Sequence, residues 1–325
     1  MTVGVRGPSV PAMTSAAAQT ADRMAAAFAS IADGTGTAAD VRASLAATRR
    51  PAKPVPVGSV GDGRIDGPEG MKTIPVRIYR PLGAPQGQLP IMVYFHGGGF
   101  VLCDLDSHDS CCRRLANGVG AVVVSVDYRL APENPFPAAV DDAWAALQWV
   151  SMNAVELGGD PNRLVVAGDS AGGNLAAVVA MMARDHGGPD IVFQLLIYPV
   201  LDQRRKSSAT SEYSASGSAL SGEHMRWFTE QYLGSDGDPS DVLASPILGD
   251  LTGLPPAHIV TGECDPLRAE DEQYAELLRA AGVPVTITNY DNMFHGFFNL
   301  SDHLPIARRA SDDVCEILKG ALRCN

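Results

Sequence analysis

The sequence predicts an α/β protein, a mostly parallel central sheet flanked by helices and carrying a helical cap. Three observations lead there. From Thr73 onward, short apolar runs alternate with helical stretches, the rhythm of repeated β-α-β units. Most of those runs are continuously apolar rather than alternating, as strands covered on both faces are. One stretch, 203–245, breaks the rhythm with Ser-rich and charged residues before turning helical. An insertion between two sheet strands is most simply a lid over the edge where such folds place ligands.

Taken in order, residues 1–15 are rich in Pro, Gly, Ser and Thr and read as frayed chain. Residues 16–32 carry Met24, Phe28 and Ile31 at helical spacing, a weakly amphipathic helix ended by Gly34 and Gly36. The stretch 51–70, with four prolines and five glycines, reads as a connector. Strands are expected over 74–79, 91–95, 121–126, 163–167, 192–197, 258–261 and 285–290, and helices over 138–157, 171–183, 269–281 and 305–322. Within the insertion, 222–233 places Met225, Phe228 and Tyr232 at i, i+3 and i+7 of a helix.

At 325 residues the chain can hide roughly three-quarters of its unfolded surface. A composition of 46% hydrophobic and 19% charged residues excludes a wholly disordered chain. No run approaches the roughly 18–20 apolar residues of a bilayer-spanning helix, so stable membrane insertion is not expected. The net charge of −12 opposes phosphate backbones and anionic lipid heads. No nucleic-acid partner is expected, and the substrate should be small and not strongly anionic. Six cysteines are too dilute for a disulfide scaffold and lack zinc-site spacing. Reduced thiols in the cytoplasm, with no metal or organic cofactor, are the expectation. Pro8, Pro11, Gln19, Asp22 and Arg23 interrupt any early apolar stretch, so no signal peptide is expected.

Two glycine motifs carry the chemistry. Gly168-Asp169-Ser170-Ala171-Gly172 follows an apolar strand and opens an Ala/Val-rich helix, the strand–turn–helix setting a nucleophilic serine requires. By composition alone about 0.2 chance matches to this pattern are expected, so the setting rather than the pattern separates it from a turn with an idle serine. His96-Gly97-Gly98-Gly99, directly after another strand, has only about 0.007 expected chance occurrences. Its glycines expose backbone N–H groups suited to an oxyanion, here Gly97 and Gly98 with Ala171 as a third donor at a helix start. A phosphate loop would want a nearby Lys and Ser/Thr, whereas Phe100-Val101-Leu102 follow.

A serine at its free pKa needs a base, and the base an orienting acid. Among seven histidines, His295 falls in a loop just after strand 285–290 and can reach over the sheet edge; His303 is the reserve. Asp265 follows strand 258–261 and precedes Pro266, with Glu263, Asp202 and Asp291 as rivals and helix capping as its alternative task. Tyr128, Arg129 and Glu133 are expected to brace loops, and Asp169 to bond to backbone or to a basic neighbour. Trp227, Phe228 and Tyr232 read as core, with part of that stripe free to line a pocket.

The runs His96–Phe100, Asp127–Glu133, Gly168–Asn174, Asp265–Arg268 and Phe294–Phe297 together resemble the bacterial hormone-sensitive-lipase-like carboxylesterases over roughly residues 73–322. That resemblance implies an α/β-hydrolase sheet over 51–202 and 246–325, capped by N-terminal helices within 1–50 and by the 203–245 insertion. It implies Ser170 as nucleophile, His295 as base, Asp265 as acid, and Gly97, Gly98 and Ala171 as oxyanion donors. It also suggests a homodimer through a sheet edge or the C-terminal helix. Cys103 stands where such enzymes commonly carry Gly, and Cys264 where an aromatic is common. The expected activity is hydrolysis of small, neutral esters with short-to-medium acyl groups. An amidase or small-molecule deacetylase with the same triad, a long-chain lipase, or a non-catalytic binding protein on this fold are the alternatives.

Overall fold

The computed structural model describes residues 15–28, 31, 36–48, 53–68, 73–84, 87–204 and 220–323. The readings made for residues 1–14 and for 205–219 of the insertion lie outside these. Two helices, α1 (Ser15–Ala27) and α2 (Ala38–Thr48), precede β1 (Ser59–Ile65), β2 (Ile74–Arg80) and β3 (Leu89–Phe95). Then come α3 (Asp109–Leu115), β4 (Val122–Val126), α4 (Ala138–Asn153), β5 (Gly159–Asp169), α5 (Ala171–His186) and β6 (Ile191–Ile197). The chain closes with α6 (Gly222–Leu233), β7 (Ala257–Gly262), α7 (Arg268–Ala280), β8 (Val285–Tyr290) and α8 (Pro305–Arg323).

The strands form one eight-stranded sheet in the order β1-β2-β4-β3-β5-β6-β7-β8. Only β1 with β2 and β2 with β4 run antiparallel; every other pairing is parallel. Six parallel strands therefore deliver their C-terminal loops to one edge.

Both faces of the central strands are covered, which is why those strands read as unbroken apolar runs. In β3, Ile91, Val93 and Phe95 pack with Leu147 of α4 and Leu175 of α5 on one side. Met92 and Tyr94 point the other way, toward Cys112 of α3 and Val314 and Leu318 of α8. All seven of these aliphatic and aromatic positions of β3, α4 and α5 are fully buried, each contributing about 1.5–3 kcal/mol on leaving water.

β1 departs from the expectation of a connector over 51–70. Its residues SVGDGRI leave only Ile65 buried, so no apolar pattern announces it. The backbone ladder to β2, from Ser59 opposite Arg80 to Ile65 opposite Ile74, makes it a strand. An ion pair from Arg77 Nε to Asp62 Oδ1 at 2.6 Å reinforces this charged edge, a composition that discourages pairing with a foreign chain.

Candidate active site

Ser170 sits between β5 and α5 with φ 55° and ψ −116°, a backbone strain that non-glycine residues tolerate mainly at functional turns. The Ser170 N–H donates to the Ile197 carbonyl at 2.8 Å, holding the turn on β6. The flanking glycines are sterically required. A Cβ at Gly172 would lie 1.9 Å from the Phe95 carbonyl oxygen, and one at Gly168 2.2 Å from that of Gly172. The helix can thus start tight against β3 and β5, leaving the Ser170 hydroxyl at the sheet edge.

His295, in the loop after β8, reaches this hydroxyl. Its Nε2 lies 2.8 Å from Ser170 Oγ and its Nδ1 2.8 Å from Asp265 Oδ2. Asp265 is fully buried, and its second oxygen accepts the Leu267 N–H at 2.8 Å. A carboxylate on Nδ1 holds the proton there and leaves Nε2 as an acceptor for the serine proton. The rivals are engaged elsewhere. Glu263 accepts the Asn292 N–H, Asp202 pairs with Arg204, and His303 is exposed. Ser170, Asp265 and His295 meet from the ends of three different strands.

The glycine loop corrects one expectation. The Gly97 N–H donates to Asp169 Oδ1 at 3.0 Å, so it is already engaged by that carboxylate. Its close approach also explains the residue type, since a Cβ there would fall 2.5 Å from Asp169 Oδ2. Gly98 and Gly99 line the cavity beside Ser170 instead, and their N–H groups find no acceptor among the described residues. Gly99 has φ 62°, and a Cβ there would strike the Phe228 ring at 2.3 Å. The Ala171 N–H, first of α5, has no partner within its own helix by position.

Beneath the loop, Asp169 is the centre of a buried polar cluster. It accepts from Tyr94 Oη at 2.7 Å and Asn299 Nδ2 at 2.8 Å, and His108 Nε2 lies 3.1 Å away. Burial would raise its pKa, but His108 and Tyr94 outweigh that and hold it below the usual carboxylate range. His96 stacks on Tyr128 with ring centres 4.4 Å apart, and burial together with neighbouring His108 pushes it down to about 4. Tyr128 Oη donates to the His96 carbonyl at 2.6 Å, and Arg129 forks onto the buried Asp142. Both brace loops, as their sequence setting suggests. Nothing local in the sequence marks His108 or Asn299 as a partner of Asp169.

A family model described as an α/β hydrolase fold matches residues 92–299. The chain belongs to the α/β-hydrolase fold family. The hydrolase is 46% identical over 296 residues to a carboxylesterase, NlhH, of Mycobacterium tuberculosis, covering 89% of this chain and 92% of that one. It is 38% identical over 255 residues to an ethyl acetate hydrolase of Pseudomonas putida, covering 76% and 78% of the two chains. Among solved structures, a hyperthermophilic esterase of the archaeon Pyrobaculum calidifontis superposes with a TM-score of 0.85 at 41% identity, over 95% of this chain and 99% of the other. An ester hydrolase from the Lake Arreo metagenome does so at 0.87 and 41%, over 95% and 98%. These relatives place the hydrolase in the carboxylesterase branch that its five motifs resemble.

A cavity of about 290 Å³ opens over Ser170 and His295. In this hydrolase its walls include Phe28 beyond α1, Leu45 of α2, and Met225 and Phe228 of α6. Phe28 meets Phe228 edge-on at 6.1 Å. Tyr232, one turn further along α6, stacks on Phe100 at 3.6 Å and is fully buried. The aromatic stripe is thus divided between cavity and core. Arg42 of α2 donates to the Val101 and Ala131 carbonyls at 2.7 and 2.6 Å and forks onto Glu133, tying that helix to the loops after β3 and β4. Cys103 is half-buried at the cavity wall, while Cys264 is buried, which raises its thiol pKa.

Among the described residues no helix is long and apolar enough to cross a membrane.

Proposed function

We propose that this α/β hydrolase is a serine carboxylesterase acting on small, neutral esters with short-to-medium acyl groups. The supporting observation is the unbroken relay from Asp265 through His295 to Ser170, opening into a small cavity with mostly apolar walls. In this reading Ser170 Oγ attacks the ester carbonyl as His295 Nε2 takes its proton, and Asp265 stays ionised beside the imidazolium. The tetrahedral oxyanion accepts N–H donors from Gly98, Gly99 and Ala171; each donor of this kind is worth about 10²–10³ in rate. Collapse expels the alcohol, protonated by His295, and leaves an acyl group on Ser170. Water then enters with His295 again as base, releasing the carboxylic acid and restoring the serine.

The cavity's size and lining support this substrate class. At about 290 Å³ it sits at the low end for small-molecule sites, and the chain's net charge of −12 disfavours strongly anionic esters. We infer that the helices within 1–50 and the 203–245 insertion act as a cap over it, and that the protein works in the cytoplasm with its thiols reduced. The family resemblance extends the reading to a homodimer through the β8 edge or α8, measurable by sedimentation.

A panel of p-nitrophenyl esters of rising acyl length tests the proposal. Turnover that peaks at short or medium chains and falls for long ones is expected. A maximum at long-chain esters contradicts the acyl assignment. Matched ester and amide pairs read the bond type, and faster cleavage of the amide contradicts the esterase reading.

A further inference from the structure

We propose that Asp169 is a positioning residue that locks the oxyanion loop, the nucleophile turn and the base loop to one another through its buried carboxylate. The inference rests on the serine mechanism above and assigns a task to a residue that mechanism leaves unused.

The carboxylate is 3% exposed as a residue and is met by donors from four separate segments. Tyr94 comes from β3, Gly97 from the glycine loop, His108 from the start of α3, and Asn299 from the turn Phe297–Leu300. A buried carboxylate costs heavily unless its lone pairs are filled, so all four donors are drawn to one point. The carboxylate and two of its donors connect to working parts of the site. Asp169 is covalently adjacent to Ser170, Gly97 to Gly98, and Asn299 lies four residues beyond His295.

The glycine loop has special need of such an anchor. Residues 97–99 carry no side chains with which to pack, and Gly98 and Gly99 hold left-handed φ values of 114° and 62°. Their N–H groups can face a developing oxyanion only if the loop's entry is fixed. The bond from Gly97 N–H to Asp169 Oδ1 at 3.0 Å, with the Gly97 Cα packed against the same carboxylate, supplies that fixture. Displacement of oxyanion donors by about 1 Å costs on the order of 10² in rate while leaving ground-state binding alone.

The test compares Asp169→Ala, Asp169→Asn and Asn299→Ala with wild type, each normalised to active serines titrated with a fluorophosphonate. Steady-state kinetics on one p-nitrophenyl ester are paired with inhibition by an alkyl trifluoromethyl ketone, whose adduct carries the oxyanion. Asp169→Ala is expected to lower kcat about 10²–10³-fold with KM within about threefold, and to weaken the ketone in parallel. Asp169→Asn, which keeps an acceptor for the Gly97 N–H, should recover at least about tenfold of that loss. Asn299→Ala, which removes one donor, should lower kcat about tenfold with KM unchanged. A folded Asp169→Ala protein with wild-type kcat per titrated serine and wild-type ketone affinity overturns the proposal. If that variant does not fold, an unchanged kcat in both Asp169→Asn and Asn299→Ala overturns it equally. A wild-type enzyme that takes up no phosphonate at Ser170 instead removes the serine mechanism, and the inference falls with it.

Discussion

The floor and the roof of the cavity are built by different means. The floor is made of strand ends: Ser170, Asp265 and His295 project from loops after β5, β7 and β8, almost wholly buried and joined by 2.8 Å hydrogen bonds. The roof is made of Phe28, α2 and α6, held by aromatic edges and by Arg42, whose partner Glu133 is 54% exposed in its side chain. An exposed pair of that kind is worth about 0–1 kcal/mol, so the roof rests mainly on apolar packing and on the bonds from Arg42 to backbone. The contrast suggests that the floor governs the chemical step and the roof governs which ester is admitted.

The largest effect should come from removing the nucleophile. Ser170→Ala is expected to lower kcat by about 10⁶-fold and to abolish fluorophosphonate labelling without shifting the melting temperature. Labelling at full strength in that variant would break the assignment of the floor. Asp265→Asn should keep KM and lose about 10⁴ in kcat, because the amide favours the wrong imidazole tautomer. Normal turnover there would transfer the acid's role to Glu263 or Asp291.

Acid should act on the floor and on the sheet beside it. His96 and His258 are both buried neutral with pKa values pushed down to about 4 by burial. Their contribution is complete above about pH 6.5 and is lost as pH falls toward 4, because the unfolded chain binds those protons first. Each withdraws about 3 kcal/mol over that window. Asp127 works in the opposite sense, its carboxyl raised to about 6 by burial and by Asp104 and Asp106, but it is one group against two. Thermal melts from pH 7 to pH 4 should therefore show falling stability; a flat profile would contradict neutral burial of these histidines. His258 bonds only to Thr286 Oγ1 among the described side chains, so His258→Asn should flatten part of that profile while sparing activity.

The smallest expected effect sharpens the contrast from the roof's side. Met225, buried against the cavity from α6, can be cut to Ala. The enlarged cavity should move the preferred acyl chain to greater length, with KM changing by up to about tenfold and kcat by less than about threefold. A kcat collapse without any shift in chain preference would show that the roof takes part in the chemical step.

How much was legible follows the same division. Parallel strands buried on both faces print themselves as unbroken apolar runs, so β3 to β7 could be read directly. Ser170 and Asp265 sit just past such runs and His295 in the loop after the mixed strand β8, and those positions mark them out. Sequence alone cannot divide the tasks within the glycine loop, because Gly97 and Gly99 are chemically identical. The Gly97 N–H is taken by the Asp169 carboxylate, 72 residues away in sequence. The partners His108 and Asn299 lie 61 and 130 residues from Asp169, a distance no local pattern can span. β1 hid for another reason: its order comes from a backbone ladder, with Gly61, Gly63 and two charges where an apolar face would have signalled it. Helix α2 announces itself just as weakly, since among its described residues past Ala38 only Val41 is buried.

The most direct measurement of the proposed chemistry is to mix the enzyme with a p-nitrophenyl ester, quench within the first turnover, and locate the acyl group by peptide mass spectrometry. An acyl adduct on the Ser170 peptide, appearing in step with a nitrophenol burst and absent from Ser170→Ala, is the predicted result. Turnover at full rate with no acylated peptide, or with the acyl group on another residue, would contradict it.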